Sequence, residues 1–180
     1  MTTEIHASWT VRPLDPDEPE AAALLREYFA EIVERYYRRP LRPGEVEAAM
    51  DESPSGDLVA PTGALLLAAC DGRPAGCAGL RFRPDWAELT RVYVRPEQRG
   101  RGGGAALLAA AEAYARDAGA DRIRLDTRSD LVEARALYAR HGYVEIPAYS
   151  QDKYAEHWFE KLLPTAVDDV DGPRYQRTGS

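Results

Sequence analysis

The sequence predicts a mixed α/β fold in one domain. An antiparallel meander in the first half leads into a central parallel strand pair, within a sheet of six or seven strands carrying about four helices. Three observations carry this expectation. Apolar runs at 63–70 and 74–83 flank Asp71-Gly72-Arg73, and Asp-Gly between apolar runs favours a tight hairpin. A third run, 86–95, follows the turn residues Arg83-Pro84-Asp85, so three successive strands are joined too closely to be parallel. The run at 123–127 returns only after a helical stretch, and a crossover of that kind lays it parallel to 86–95.

The remaining elements follow in order. Residues 9–14 alternate as a first strand, which the proline-rich DPDEP ends. Leu25, Phe29, Ile32, Val33 and Tyr36 recur at three- and four-residue steps and predict a helix over 19–37. Acidic residues lead into it, arginines close it, and Pro40 stops it. A shorter helix is expected over 43–50, and DESPSGDLVAPT at 51–62 is a loop by composition. Leu107, Leu108, Ala111 and Ala115 mark one side of a helix over 103–118, with Gly119 placed to cap it. A last helix over 131–140 leads into strands at 143–146 and 158–163. The domain is expected to span 1–163, followed by a polar tail over 164–180.

Composition narrows the functions available. With Lys plus Arg at 23 and Asp plus Glu at 30, the chain carries a net charge of −7. That balance offers nucleic acid no general attraction, and it suits an acceptor that arrives as a cation. Apolar runs such as Ala64 to Cys70 are far too short to span a bilayer, and MTTEIHASWTVR holds no apolar signal. A cytoplasmic protein without membrane or nucleic-acid partners is the expectation. Cys70 and Cys77 could pair, but nothing marks secretion, and both read as small buried hydrophobes. His6, His141 and His157 are scattered without metal-ligand spacing, so no metal is expected.

The most informative stretch is VYVRPEQRGRGGGAALL at 92–108. Glycines at 100, 102, 103 and 104 remove the Cβ atoms that would keep backbone amides from closing around an anion. The helix that follows directs its positive end at the same place, and Arg99 and Arg101 add full charges. Such a loop grips a diphosphate. A nucleoside-triphosphate loop would need Lys-Ser or Lys-Thr where Ala105 and Ala106 stand. The spacing Gly100-x-Gly102-x-x-Ala105, with Asp126 ending the next strand, meets the dinucleotide fingerprint. That fingerprint opens the first βα unit of its fold, however, whereas about a hundred residues precede this loop and too few follow it.

A third pattern fits along the chain. Arg99-Gly100-Arg101-Gly102-Gly103-Gly104 resembles the Arg-x-x-Gly-x-Gly loop that binds coenzyme A in the GNAT superfamily of N-acetyltransferases. The preceding AELTRVYVRPE (87–97) resembles that family's fourth strand, and EARALYARHGY (133–143) its fourth helix and the turn into the sixth strand. The resemblance covers about residues 8–163 and implies a GNAT-like fold with acetyl-CoA as acyl donor. It implies cofactor contacts from Arg99, Gly100, Arg101, Gly102, Gly103, Gly104 and Ala105. It further implies that the strands at 86–95 and 123–127 splay apart, so that Val92 and Val94 offer main-chain bonds to the pantetheine arm. The Val92 amide would then face the acetyl oxygen.

The same resemblance places an acid at Glu88, which would take a proton from the acceptor amine directly or through water. Ion pairing with Arg81, Arg83 or Arg91 is the alternative role for Glu88. Tyr138 matches the tyrosine that protonates the departing thiolate, and packing beside Leu137 is its alternative. Relatives usually carry an asparagine seven residues before that tyrosine; here the position is Leu131, so Ser129 or Asp130 would have to supply the contact. Tyr36, near the end of the first helix, and Arg81 are candidate acceptor-binding residues, with half-buried packing and a cross-strand salt bridge as their alternatives. The resemblance implies an N-acetyltransferase acting on a primary amine, in first place that of a small molecule. A protein lysine or N-terminus, or a non-catalytic acetyl-CoA sensor, are the competing readings, and family habit allows a homodimer.

Overall fold

The computed structural model describes residues 7–164, so the tail over 164–180 lies almost wholly outside the described residues. Seven strands form one sheet in the order β1-β2-β3-β4-β5-β7-β6. They are β1 (Trp9–Pro13), β2 (Gly63–Cys70), β3 (Arg73–Phe82), β4 (Trp86–Val94), β5 (Arg122–Thr127), β6 (Val144–Ile146) and β7 (His157–Leu162). The helices are α1 (Pro19–Tyr37), α2 (Glu45–Glu52), α3 (Gly103–Asp117) and α4 (Val132–Arg140). The expected meander forms as read: Asp71 and Gly72 both take positive φ, 49° and 80°, the backbone of a two-residue hairpin turn between β2 and β3. No described helix is long and apolar enough to cross a membrane.

Each face of the sheet has its own core. On one, Leu66, Leu80, Ala87, Leu89, Ile123 and Leu125 pack against Leu107, Leu108, Ala111 and Ala115 of α3, with Tyr138 of α4. On the other, Leu65, Leu67, Cys77 and Tyr93 pack against Leu24 and Leu25 of α1 and Leu58 of the loop after α2. Cys70 and Cys77 are free and buried, and burial pushes the Cys77 thiol up to about 12.

Two features of β4 shape the site. It pairs with β5 only at Trp86–Arg122, Ala87–Ile123 and Glu88–Arg124; beyond those positions the strands diverge. On its other side, the register with β3 slips between Cys77–Tyr93 and Gly79–Thr90, so two residues of β4, Arg91 and Val92, oppose Ala78 alone. Arg91 sits at φ 55°, and this bulge reverses which side of the sheet each residue faces. Strict alternation would send Arg91 after Ala87 and Leu89 into the α3 core. Instead Arg91 lies over the Phe29 ring of α1, 4.8 Å from its centroid, while Val92 and Val94 pack on the α3 side.

Arg91 is only 6% exposed, and hydrogen bonds offset its desolvation: its guanidinium donates to the Ser53 carbonyl and hydroxyl at 2.8 Å, to Ser55 Oγ at 3.1 Å and to Thr90 Oγ1 at 3.0 Å. The bulge and the loop after α2 are thus fastened together by one side chain. Close approach supports the same strand from behind: a Cβ on Gly76 would lie 2.4 Å from the Tyr93 carbonyl oxygen, a backbone atom that cannot swing aside. Gly76→Ala is therefore expected to lower stability by about 1–3 kcal/mol, read as a fall in the urea midpoint at unchanged slope.

Candidate active site

Divergence of β4 from β5 leaves main-chain groups facing a gap. The Arg95 amide donates to the Ala75 carbonyl on β3, so alternation turns the Val94 and Val92 main chain toward the β5 side. The Val94 carbonyl meets Arg99 Nε at 2.8 Å. At the far end of the gap a short 3-10 turn, Pro96–Gln98, delivers the chain to the glycine loop.

The glycine loop has the chemistry to hold an anion. Among the described residues, the amides from Gly100 through Ala105 find no protein acceptor, and the first amide bond into α3 runs from Ala106 to the Gly102 carbonyl at 3.0 Å. Gly102, at φ 93°, makes the turn into the helix. A Cβ on Gly103 would fall 2.5 Å from the indole of Trp9, whose Nε1–H donates to the Arg101 carbonyl at 2.8 Å. Trp9 thus braces the loop from β1, a role that sequence reading missed because nothing in the alternation of β1 marks it. Arg99 is paired with Glu31 of α1, and Arg101 with Asp71 at 3.4 Å, so each would exchange a carboxylate for a phosphate. Six amide donors in a row, two adjacent cations and an unpaired strand edge fit a diphosphate carrying an amide-bearing arm.

The other side of the gap is polar. A cleft of about 630 Å³ opens there, lined by Glu52, Ser53, Pro54, Gly56, Asp57, Arg81, Arg83 and Glu88. Glu88 lies 3.0 Å from Arg83 and 3.9 Å from Arg81, and Arg81 Nε meets Asp57 at 2.6 Å. Both Glu88 and Arg81 are engaged in the ion pairs considered as their alternative roles. Tyr36 is 51% exposed and stacks edge-on with Tyr37 and Tyr154 at the rim. The substitutes considered for the missing asparagine are also engaged: Ser129 Oγ donates to Glu156 at 2.9 Å, and Asp130 pairs with Arg128 at 2.8 Å.

Tyr138 is 5% exposed, with its ring against Tyr143 and Phe159, and burial pushes its hydroxyl up, so the proton stays on at neutral pH. A further acid, Asp126 of β5, is one that the sequence connected only with the discarded dinucleotide pattern. Its neighbours Ile123 and Leu125 point into the α3 core, which turns Asp126 to the cleft face with Glu88. Burial, and then the charges of Asp152 and Glu88, push its carboxyl up to about 6, relieved in part by Arg81.

Known proteins resemble this chain in sequence and in fold. The sequence model of the acetyltransferase (GNAT) family matches residues 23–143. An aminoglycoside N(6')-acetyltransferase type 1 from Stenotrophomonas maltophilia is 39% identical over 93 residues, which cover 46% of this chain and 61% of that protein. One from Klebsiella aerogenes is 31% identical over 110 residues, 57% of this chain and 72% of that protein. The chain therefore matches less than two thirds of the first of these relatives. The PaiA N-acetyltransferase of Thermoplasma acidophilum, solved in complex with coenzyme A, shares the fold at a TM-score of 0.68 and 22% identity, over 86% of this chain and 99% of that one.

Asp126 makes a stability prediction. Its carboxyl is raised in the folded chain above the unfolded value of about 3.9, so its charge is unfavourable to folding. That penalty is absent below about pH 4 and complete once pH has risen past about 6. Asp126→Asn is expected to stabilise the protein by about 1–2 kcal/mol at pH 7.5, after allowance for solvent screening, and by nothing at pH 4. Denaturant titrations at the two pH values check it.

Proposed function

Because the chain belongs to the acetyltransferase (GNAT) family, we propose that it transfers the acetyl group of acetyl-CoA to a primary amine of a small molecule. The observation that carries this reading is the pairing of a parallel strand gap with the run of acceptor-free amides from Gly100 to Ala105. In this reading Arg99, Gly100, Arg101, Gly102, Gly103, Gly104 and Ala105 hold the diphosphate, while Val92 and Val94 bond the pantetheine arm. Acetyl-CoA supplies the activated acyl group; the chain supplies position and proton handling.

The acceptor must lose a proton before its lone pair can attack, and Glu88 takes it, directly or through water. Held by Arg83 and Arg81, Glu88 keeps a fixed direction toward the cleft. The Val92 amide supports the oxyanion of the tetrahedral intermediate, an interaction of a few kcal/mol. Tyr138 donates its proton to the leaving thiolate. A small acceptor is supported by the way the cleft is bridged. Tyr154 Oη donates to Glu52 of α2 at 3.2 Å and Lys153 pairs with the same carboxylate, so the segment before β7 reaches across to α2. The aminoglycoside relatives point to an amino sugar as the first acceptor to try.

The test is release of free thiol from acetyl-CoA with a panel of aminoglycosides, simple amines and lysine peptides. Turnover with a small amine and none with peptides is the expected result. Absence of any acetyl-CoA binding by calorimetry would overturn the reading. Tyr138→Phe and Glu88→Gln are expected to lower kcat about 10²-fold while the thermal shift caused by acetyl-CoA persists. A non-catalytic sensor would show the shift without turnover in any variant.

A further inference from the structure

The glycines of the loop are needed for two different reasons. Gly100 and Gly102 take positive φ, whereas Gly103 and Gly104 lie in the first turn of α3 without it. At these two a neighbour, not the backbone, excludes a side chain. A Cβ on Gly103 would lie 2.5 to 2.9 Å from three ring carbons of Trp9, and one on Gly104 would lie 2.8 Å from Leu137 Cδ2 of α4. The start of α3 is therefore gripped by β1 on one side and by α4 on the other. The leucine methyl can swing aside, but the indole is rigid and also makes a polar contact.

That contact is the bond from Trp9 Nε1–H to the Arg101 carbonyl at 2.8 Å. In a trans peptide the carbonyl of one residue and the amide N–H of the next point in opposite directions. With the Arg101 carbonyl drawn toward β1, the Gly102 N–H is sent the other way. Left free, the same carbonyl could turn its lone pairs toward an anion and repel it. A glycine-rich segment whose amides bond nothing has little else to order it, and its ordering would be charged against binding. Trp9 is itself anchored beside the loop. The Ser8 amide donates to Asp71 Oδ1 at 3.0 Å, the Asp71 amide returns a bond to the Ser8 carbonyl at 2.8 Å, and Asp71 also meets Arg101.

We propose that Trp9 is a positioning residue for the acyl donor: its indole N–H fixes the Arg101 peptide so that the Gly102 amide faces the diphosphate, and its ring seats the start of α3 at Gly103. This rests on the acetyl-transfer reading above and adds to it a residue some ninety positions before the loop. Coupling of this kind is reciprocal. A ligand that needs the loop in place must also hold Trp9 in place. It therefore strengthens the docking of β1, an edge strand paired only with β2, from Trp9–Cys70 to Pro13–Leu66.

Two donors provide the test, acetyl-CoA and S-acetylpantetheine, which carries the same arm and thioester but no diphosphate. Trp9→Phe keeps an aromatic ring and removes the N–H. Calorimetry reads the folded fraction of the variant as stoichiometry, apart from Kd. Trp9→Phe is expected to weaken acetyl-CoA about fivefold and to leave S-acetylpantetheine within about twofold of wild type. A Kd for acetyl-CoA within about twofold of wild type overturns the proposal. So does equal weakening of both donors, which a general loosening of the fold would cause. Hydrogen exchange on the wild type supplies a second readout that needs no variant. Amides of β1 should exchange more slowly with acetyl-CoA bound and at their free rate with S-acetylpantetheine, and β1 exchange unchanged by acetyl-CoA overturns the coupling. Failure of the acetyl-transfer reading shows separately, as absence of heat from the wild type with acetyl-CoA.

Discussion

Three registers of parallel pairing hold β4 to β5, from Trp86–Arg122 to Glu88–Arg124, and the site depends on there being no fourth. Unpaired main chain inside a sheet is costly unless another partner arrives. The fold confines that cost to a gap flanked by Val92 and Val94 on one strand and by Asp126 and Thr127 on the other. The glycine loop lies at one end, the acidic cleft opens on one face, and Tyr138 rises from α4 on the other.

What opens the gap is visible on the opposite edge of β4. The extra residue at Arg91–Val92 increases local twist and changes which face each later side chain meets. A left-handed arginine is strained, and its burial without a carboxylate adds to the cost. Ser53, Ser55, Thr90 and the Phe29 ring offset that cost, and in doing so they draw the loop after α2 and helix α1 onto the cleft. The strain beside the strand gap and the packing that shapes the cleft are thus one arrangement.

Charge is distributed in the same economical manner. Arg99 rests on Glu31 and Arg101 on Asp71, so the glycine loop keeps its cations ordered by carboxylates. Glu88 is bracketed by Arg83 and Arg81. Asp126, on the same face of the sheet as Glu88, has no ion-pair partner among the described residues, and burial pushes its carboxyl up.

Periodicity and turn chemistry were enough to read α1, the β2–β3 hairpin, the meander and the parallel return of β5, because each rests on local spacing. The turn at 99–105 was equally legible, since the positive φ at Gly100 and Gly102 needs glycine. The bulge was not: WAELTRVYV alternates evenly, and only packing against Phe29 and Ser53 reveals that Arg91 faces the other way. Trp9 and Asp126 were illegible for a related reason. Each acquires its role from a partner far along the chain, and whether a carboxylate is matched or left alone is decided by which side chains the tertiary structure brings beside it.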